Sequence, residues 1–237
     1  MASAENHSIR GLRVAITIAT AVIAVLVGVF GYVADEVIEG ATTKFDTAAT
    51  MWFRVNGDPS LIAGPQWLME AVRDFTSLGS FTVLGFIVIA SALYLVFTRR
   101  FEDALFLVTS VLLGTMLSNG LKMIFNRHRP AVEASTHVFT TSFPSGHATL
   151  SAVVYLTLGV LLAKSTANAT LRAYYIVLAV LTAFLVGVSR IYLGMHYPTD
   201  VIAGWCIGIS WAMICWAALD VIDHFASLRR PRQRTVG

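Results

Sequence analysis

His196 and Asp200 stand four residues apart in the segment SRIYLGMHYPTD (189–200), with Pro198 between them. Proline is favoured in a first helical turn and disfavours helix in the residue before it. A helix therefore starts near Pro198, with Asp200 in its first turn and its carboxylate within reach of the His196 ring. A carboxylate that keeps one imidazole nitrogen protonated leaves the other free to attack an electrophile. A second histidine, His147, ends the stretch PSGH (144–147). It suits an acid/base that protonates a leaving oxygen and later activates water.

The neighbouring residues suit a tetrahedral, multiply charged anion. PSGH opens an apolar run, and a helix start exposes about four unpaired N–H groups at the positive end of the dipole. Gly146 allows close approach to the backbone, and Ser145 adds a hydroxyl donor. Lys122 and Arg129 lie in KMIFNRHRP (122–130), and Arg190 follows Ser189. The planar fork of arginine matches phosphate oxygens. A nucleophile, an orienting carboxylate, an acid/base and a cationic clamp together make a phosphoryl-transfer site that needs no metal or other cofactor. Taken singly, Lys122 would be a snorkelling lysine and Asp200 a helix-start charge. Arg127 is left without a definite role, and His7, His128, His137 and His224 read as interfacial polar residues.

Membrane spans must position these groups. Of the 237 residues, 56% are hydrophobic and 13% charged, about half the charge of a soluble domain. Mean hydropathy is +0.70. Apolar runs cover 14–33, 75–98, 104–121, 147–163, 173–189 and 200–219. A helix crossing a ~30 Å hydrocarbon layer needs about 20 residues, and the fourth run reaches that length when extended back into PSGH. The expected fold is an all-α integral membrane protein of six transmembrane helices, forming a single domain over 1–237. The first run ends without a small-x-small cleavage site, so it reads as a retained span. An outer segment, 34–74, carries two short interfacial helices, near 42–54 and 60–73, separated by NGDPS.

Six spans put both termini on one side and all three chemical segments on the other. The terminal side holds Arg10, Arg13, Arg99, Arg100, Lys164, Arg172, Arg229, Arg230, Arg232 and Arg234. The other side holds Lys44, Arg54, Arg73, Lys122, Arg127, Arg129 and Arg190, four of them in or beside the chemical segments. By the positive-inside rule the termini are cytoplasmic and the site is extracytoplasmic. The net charge of +3 belongs to this topology and not to a nucleic-acid surface. Cys206 and Cys215 lie nine residues apart in the last span, on opposite helix faces, and read as packing residues.

The three segments resemble the signature of the type 2 phosphatidic acid phosphatase superfamily. Its pattern is Lys, six residues, Arg-Pro; then Pro-Ser-Gly-His; then Ser-Arg, five residues, His, three residues, Asp. Lys122, Arg129 and Pro130 fill the first part, Pro144 to His147 the second, and Ser189, Arg190, His196 and Asp200 the third. The resemblance implies a six-helix membrane enzyme acting on lipid phosphates. It implies that His196 forms a phosphohistidine with Asp200 as its partner and His147 as acid/base. Lys122, Arg129, Ser145, Gly146 and Arg190 would hold the phosphoryl group. Phosphatidylglycerophosphate, phosphatidic acid and undecaprenyl pyrophosphate are the substrates to consider. Transfer of phosphate between lipids, or anion binding without catalysis, stays open. The chain has no Asp-x-Asp, no Cys-x5-Arg and no Gly-Lys dipeptide, which argues against aspartyl-phosphate, cysteinyl-phosphate and P-loop chemistry.

Overall fold

The structure is a computed structural model that describes residues 2–130 and 141–229. His137 and the basic residues beyond Arg229 lie outside the described residues, as do the side chains of His7 and His224. Eight helices follow one another: α1 (Ala2–Ile38), α2 (Thr43–Met51), α3 (Gln66–Ser77), α4 (Phe81–Phe97), α5 (Phe101–Ile124), α6 (Gly146–Lys164), α7 (Ala169–Tyr192) and α8 (Pro198–Arg229). Five are long and apolar enough to cross a membrane. The remaining expected span is not one straight helix: α3 and α4 meet at a 51° bend and qualify only as a pair.

That break corrects the expected run 75–98. Residues 75–77 complete α3, and the Ser80 side chain caps α4 by accepting from the Val83 N–H. Gly79 makes the bend possible, because a Cβ there would meet Val186 and stand 3.3 Å from Cδ2 of His147. The expected helix 60–73 shifts as well. Asn56 and Gly57 take positive φ, and Val55 N–H donates to Leu61 O while Ala63 N–H donates to Phe53 O. Residues 53–63 therefore form a small hairpin, and helix resumes only after Pro65. The outer helices expected near 42–54 and 60–73 are α2 and α3. Trp52 and Trp67, on or beside them, are exposed.

α6 is the central helix and packs against α4, α5, α7 and α8. Its approach to α8 depends on small residues, as in many membrane helix pairs. A Cβ on Gly204 would stand 2.8 Å from Ser145 O, and one on Gly208 2.6 Å from Thr149 O. Large apolar side chains such as Val25 on α1, Ile89 on α4, Met116 on α5 and Val177 on α7 point outward, where a bilayer would receive them. α1 lies along α8. Its end joins Phe125, Phe143 and Ala203 in an apolar cluster, with the Phe125 and Phe143 rings edge-on at 4.8 Å. This cluster and the bond from Ser142 N–H to Arg127 O, 2.9 Å, draw the two ends of the α5–α6 connection together.

Candidate active site

The C-terminal ends of α5 and α7 and the N-terminal ends of α6 and α8 lie at one end of the bundle. Backbone and side-chain bonds tie the three chemical segments together there. Ser145 N–H donates to Asp200 O at 2.9 Å, linking PSGH to the third segment. Lys122 Nζ donates to Thr141 O, and Thr141 Oγ1 donates back to Lys122 O, both at 3.1 Å. Arg129 Nη1 donates to Met195 O at 3.2 Å, linking the first segment to the third. Arg190 Nη1 donates to Thr76 Oγ1 at the end of α3.

α8 starts where the chemistry requires it. Pro198 occupies the first helical position, where its missing N–H costs nothing. Asp200 reaches back to accept the Tyr197 N–H at 2.9 Å, the return half of a capping box. The same oxygen, Oδ2, lies 3.5 Å from His196 Nδ1 and accepts a short hydrogen bond from Ser142 Oγ. Ser142 Oγ also lies 3.4 Å from His196 Nδ1. Since the Ser142 proton goes to Asp200, the oxygens facing Nδ1 are both acceptors. That arrangement favours the tautomer protonated at Nδ1 and leaves the Nε2 lone pair on the opposite side of the ring.

His196 is 1% exposed and Asp200 fully buried. Burial drives the His196 pKa down to about 4, against the opposing pull of Asp200 and with help from Arg190 and Arg129. The ring is therefore neutral at physiological pH. Lys122, Arg129 and Arg190 carry the positive charge around it, and all three are within electrostatic range of His147.

The start of α6 faces the same cations. Ser145 occupies its N-cap position, yet the hydroxyl makes no capping bond. Its oxygen is buried with no hydrogen-bond partner. Buried polar atoms in native proteins are rarely left so, and a bound anion would satisfy this one. Gly146 lies directly against the Lys122 side chain. The residues picked out in the sequence thus converge: Lys122, Arg129, Ser145, Gly146, His147, Arg190, His196 and Asp200 border one region.

Residues 103–222, a little over half of the chain, match the PAP2 superfamily. The chain belongs to this family. Phosphatidylglycerophosphatase B of Bacillus subtilis (strain 168) is 32% identical over 145 residues, which are 60% of this chain and 71% of the relative. Undecaprenyl-diphosphatase of Sulfolobus acidocaldarius is 32% identical over 127 residues, 51% of this chain and 57% of that protein. The crystal structure of a transmembrane PAP2-type phosphatidylglycerolphosphate phosphatase from Bacillus subtilis superposes with a TM-score of 0.74 at 27% identity. It covers 90% of this chain and 98% of that one.

In this PAP2 chain some residues at the site escaped the sequence reading. Arg127, left without a role there, gives Nη1 to Asp200 Oδ1 and Nη2 to Asp46 Oδ2, each at 2.6 Å. Burial works to lower its pKa, but Asp200 and Asp46 overcome this and raise it. Its guanidinium also lies over the Tyr197 ring, 4.5 Å from the centroid. Ser142 stands just before PSGH and Thr199 lies within the third segment, next to Asp200, and their hydroxyls are the available signal. Among the described residues no three of His, Cys, Asp and Glu group as metal ligands.

Proposed function

We propose that this PAP2 chain is a lipid phosphatase that removes a phosphate monoester or opens a pyrophosphate on a membrane lipid through a phosphohistidine. Nε2 of His196 attacks phosphorus in line with the lipid oxygen. The new N–P bond forms as the P–O bond breaks, and His147, which takes up a proton as the anionic phosphate binds beside it, gives that proton to the departing oxygen. His147 then takes a proton from water, whose oxygen attacks the phosphohistidine and releases inorganic phosphate. Lys122, Arg129 and Arg190, with the Ser145 hydroxyl and the α6 N–H groups, hold the phosphoryl oxygens and stabilise their charge in the transition state. The observation that carries this reading is the buried His196–Asp200 pair beside an unpartnered Ser145 hydroxyl at the start of α6.

The lipid character of the substrate is supported by an apolar groove of about 370 Å³ on the outer face of the bundle. It begins at Phe81, just past the bend at Gly79 beside His147, and runs down α4, α5 and α6 past Gly85, Val88 and Leu112. A wet head at the span ends and a tail in this groove fit one amphiphile. The basic residues at the far end of the bundle, Arg99, Arg100, Lys164 and Arg172, support cytoplasmic termini and an extracytoplasmic site.

The test is phosphate release by the purified protein in detergent, with chelator present. The substrates are phosphatidylglycerophosphate, phosphatidic acid, undecaprenyl pyrophosphate and a water-soluble monoester. Release from at least one lipid, inhibited by orthovanadate and abolished in His196→Ala, is expected. No release from any substrate, or full activity in His196→Ala, overturns the reading.

A further inference from the structure

Asp46 belongs to none of the chemical segments. It lies in the first turn of α2, in the outer segment, and is fully buried. An isolated buried carboxylate is costly unless it is paired. Asp46 accepts from Thr199 Oγ1 at 2.7 Å, from Thr199 N–H at 3.2 Å and from Arg127 Nη2 at 2.6 Å. The other end of the Arg127 fork holds Asp200 Oδ1, and Nη1 also reaches Thr199 Oγ1 at 2.8 Å. One guanidinium thus bridges two buried carboxylates, and the residue before Asp200 is held by the same aspartate.

Two consequences follow for the reaction. A carboxylate turns easily about its last torsion. Arg127 fixes Oδ1, which keeps Oδ2 turned toward Ser142 and His196. The guanidinium also shares its charge with Asp46, so it neutralises Asp200 only in part. Asp200 keeps the negative charge that holds the Nδ1 proton of His196. The charged and titratable groups that reach His196 are Asp200 on α8, Arg190 on α7, Arg129 after α5 and His147 on α6.

We propose that Asp46 and Arg127 are a positioning pair for the phosphoryl-transfer reaction, setting both the orientation of Asp200 and the negative charge it presents to His196. This rests on the reading of His196 as nucleophile. It makes α2 part of the catalytic apparatus as well as an interfacial element.

The experiment compares Asp46→Asn, Arg127→Lys and His196→Ala with the wild-type protein in detergent, on whichever of phosphatidylglycerophosphate, phosphatidic acid and undecaprenyl pyrophosphate the wild type hydrolyses fastest. Turnover, vanadate inhibition and the pH profile are measured. Asp46→Asn is expected to lower kcat by roughly ten- to a hundred-fold, the range seen when outer partners of a metal-bound histidine are removed. Vanadate affinity should stay within about two-fold, because the phosphate pocket is untouched. Removing one negative charge should also move the acid limb of kcat/KM to lower pH. Arg127→Lys keeps the charge but cannot span both carboxylates, so kcat falls while the limb stays in place. Wild-type kcat and profile in Asp46→Asn overturn the proposal. So do parallel losses of kcat and vanadate affinity, or aggregation of both variants, since each assigns the pair a purely structural part. Retained turnover in His196→Ala instead removes the parent reading, whatever Asp46→Asn does.

Discussion

Gly146 and Lys122 meet so closely that a Cβ at position 146 would stand 3.3 Å from Cε and 3.8 Å from Nζ of the lysine. The lysine stem is flexible, so Gly146→Ala displaces the ammonium instead of blocking the fold. The expected result is a loss of about ten-fold in kcat/KM, near 1.4 kcal/mol of transition-state binding. Vanadate affinity should weaken in parallel. Thermal unfolding should hardly change, since alanine favours helix more than glycine does. Unchanged vanadate inhibition would remove Gly146 from the phosphate pocket.

Stability should depend on pH through His196. Its folded-state pKa, about 4, lies below the ordinary value because of burial. An unfolded histidine titrates near pH 6.5, so between those values the unfolded chain binds more protons than the folded one. The contribution is fully present above pH 6.5 and is lost as pH falls toward 4. Melting curves of the detergent-solubilised protein across that range should show this loss. His196→Ala should show a smaller one. Equal acid sensitivity in both would assign the effect elsewhere.

The groove along α4, α5 and α6 should discriminate by tail. Gly85 lines the groove and a Cβ there meets nothing within 4 Å, so Gly85→Phe narrows the groove while its first carbon is accommodated, and it replaces a poor helix former. Hydrolysis of a long-chain lipid phosphate should fall by roughly ten-fold or more in kcat/KM, with a water-soluble monoester unaffected. Equal effects on both substrates would separate the groove from the tail.

Topology can be read by labelling. In a background with Cys206 and Cys215 replaced by alanine, Leu61→Cys in the outer hairpin should react with an impermeant maleimide on intact cells. Ala167→Cys, exposed between α6 and α7, should react only after permeabilisation. The reverse pattern would invert the proposed orientation.

The spans were legible because each is a long apolar run with few charges, and the residues of the candidate site because fixed spacings carried them. The bend between α3 and α4 was not. Residues 75–98 read as one continuous run, and the break depends on Gly79 fitting against His147 and Val186, a contact made only after folding. Asp46 was equally hidden. A single carboxylate on a short surface helix looks the same in sequence whether it faces water or a half-buried arginine 81 residues away. Ser142 was within reach, standing two residues before PSGH, but no periodicity distinguishes its hydroxyl from that of Thr141. Local order and motif spacing are written in neighbouring residues, whereas these supports depend on pairings between distant ones.

The bond between Arg127 and Asp46 also concerns biosynthesis. Synthesis delivers α2 early, Lys122 and Arg129 at and after the end of α5 next, then the PSGH turn, Arg190 at the end of α7, and His196 and Asp200 last. On the proposed reading the groups expected to hold phosphate are all made before the expected nucleophile, and Asp46 gains its Thr199 partner only once α8 begins. On that reading a nascent chain stalled before residue 196 lacks both His196 and Asp200 and is expected to be inert toward the lipids around it.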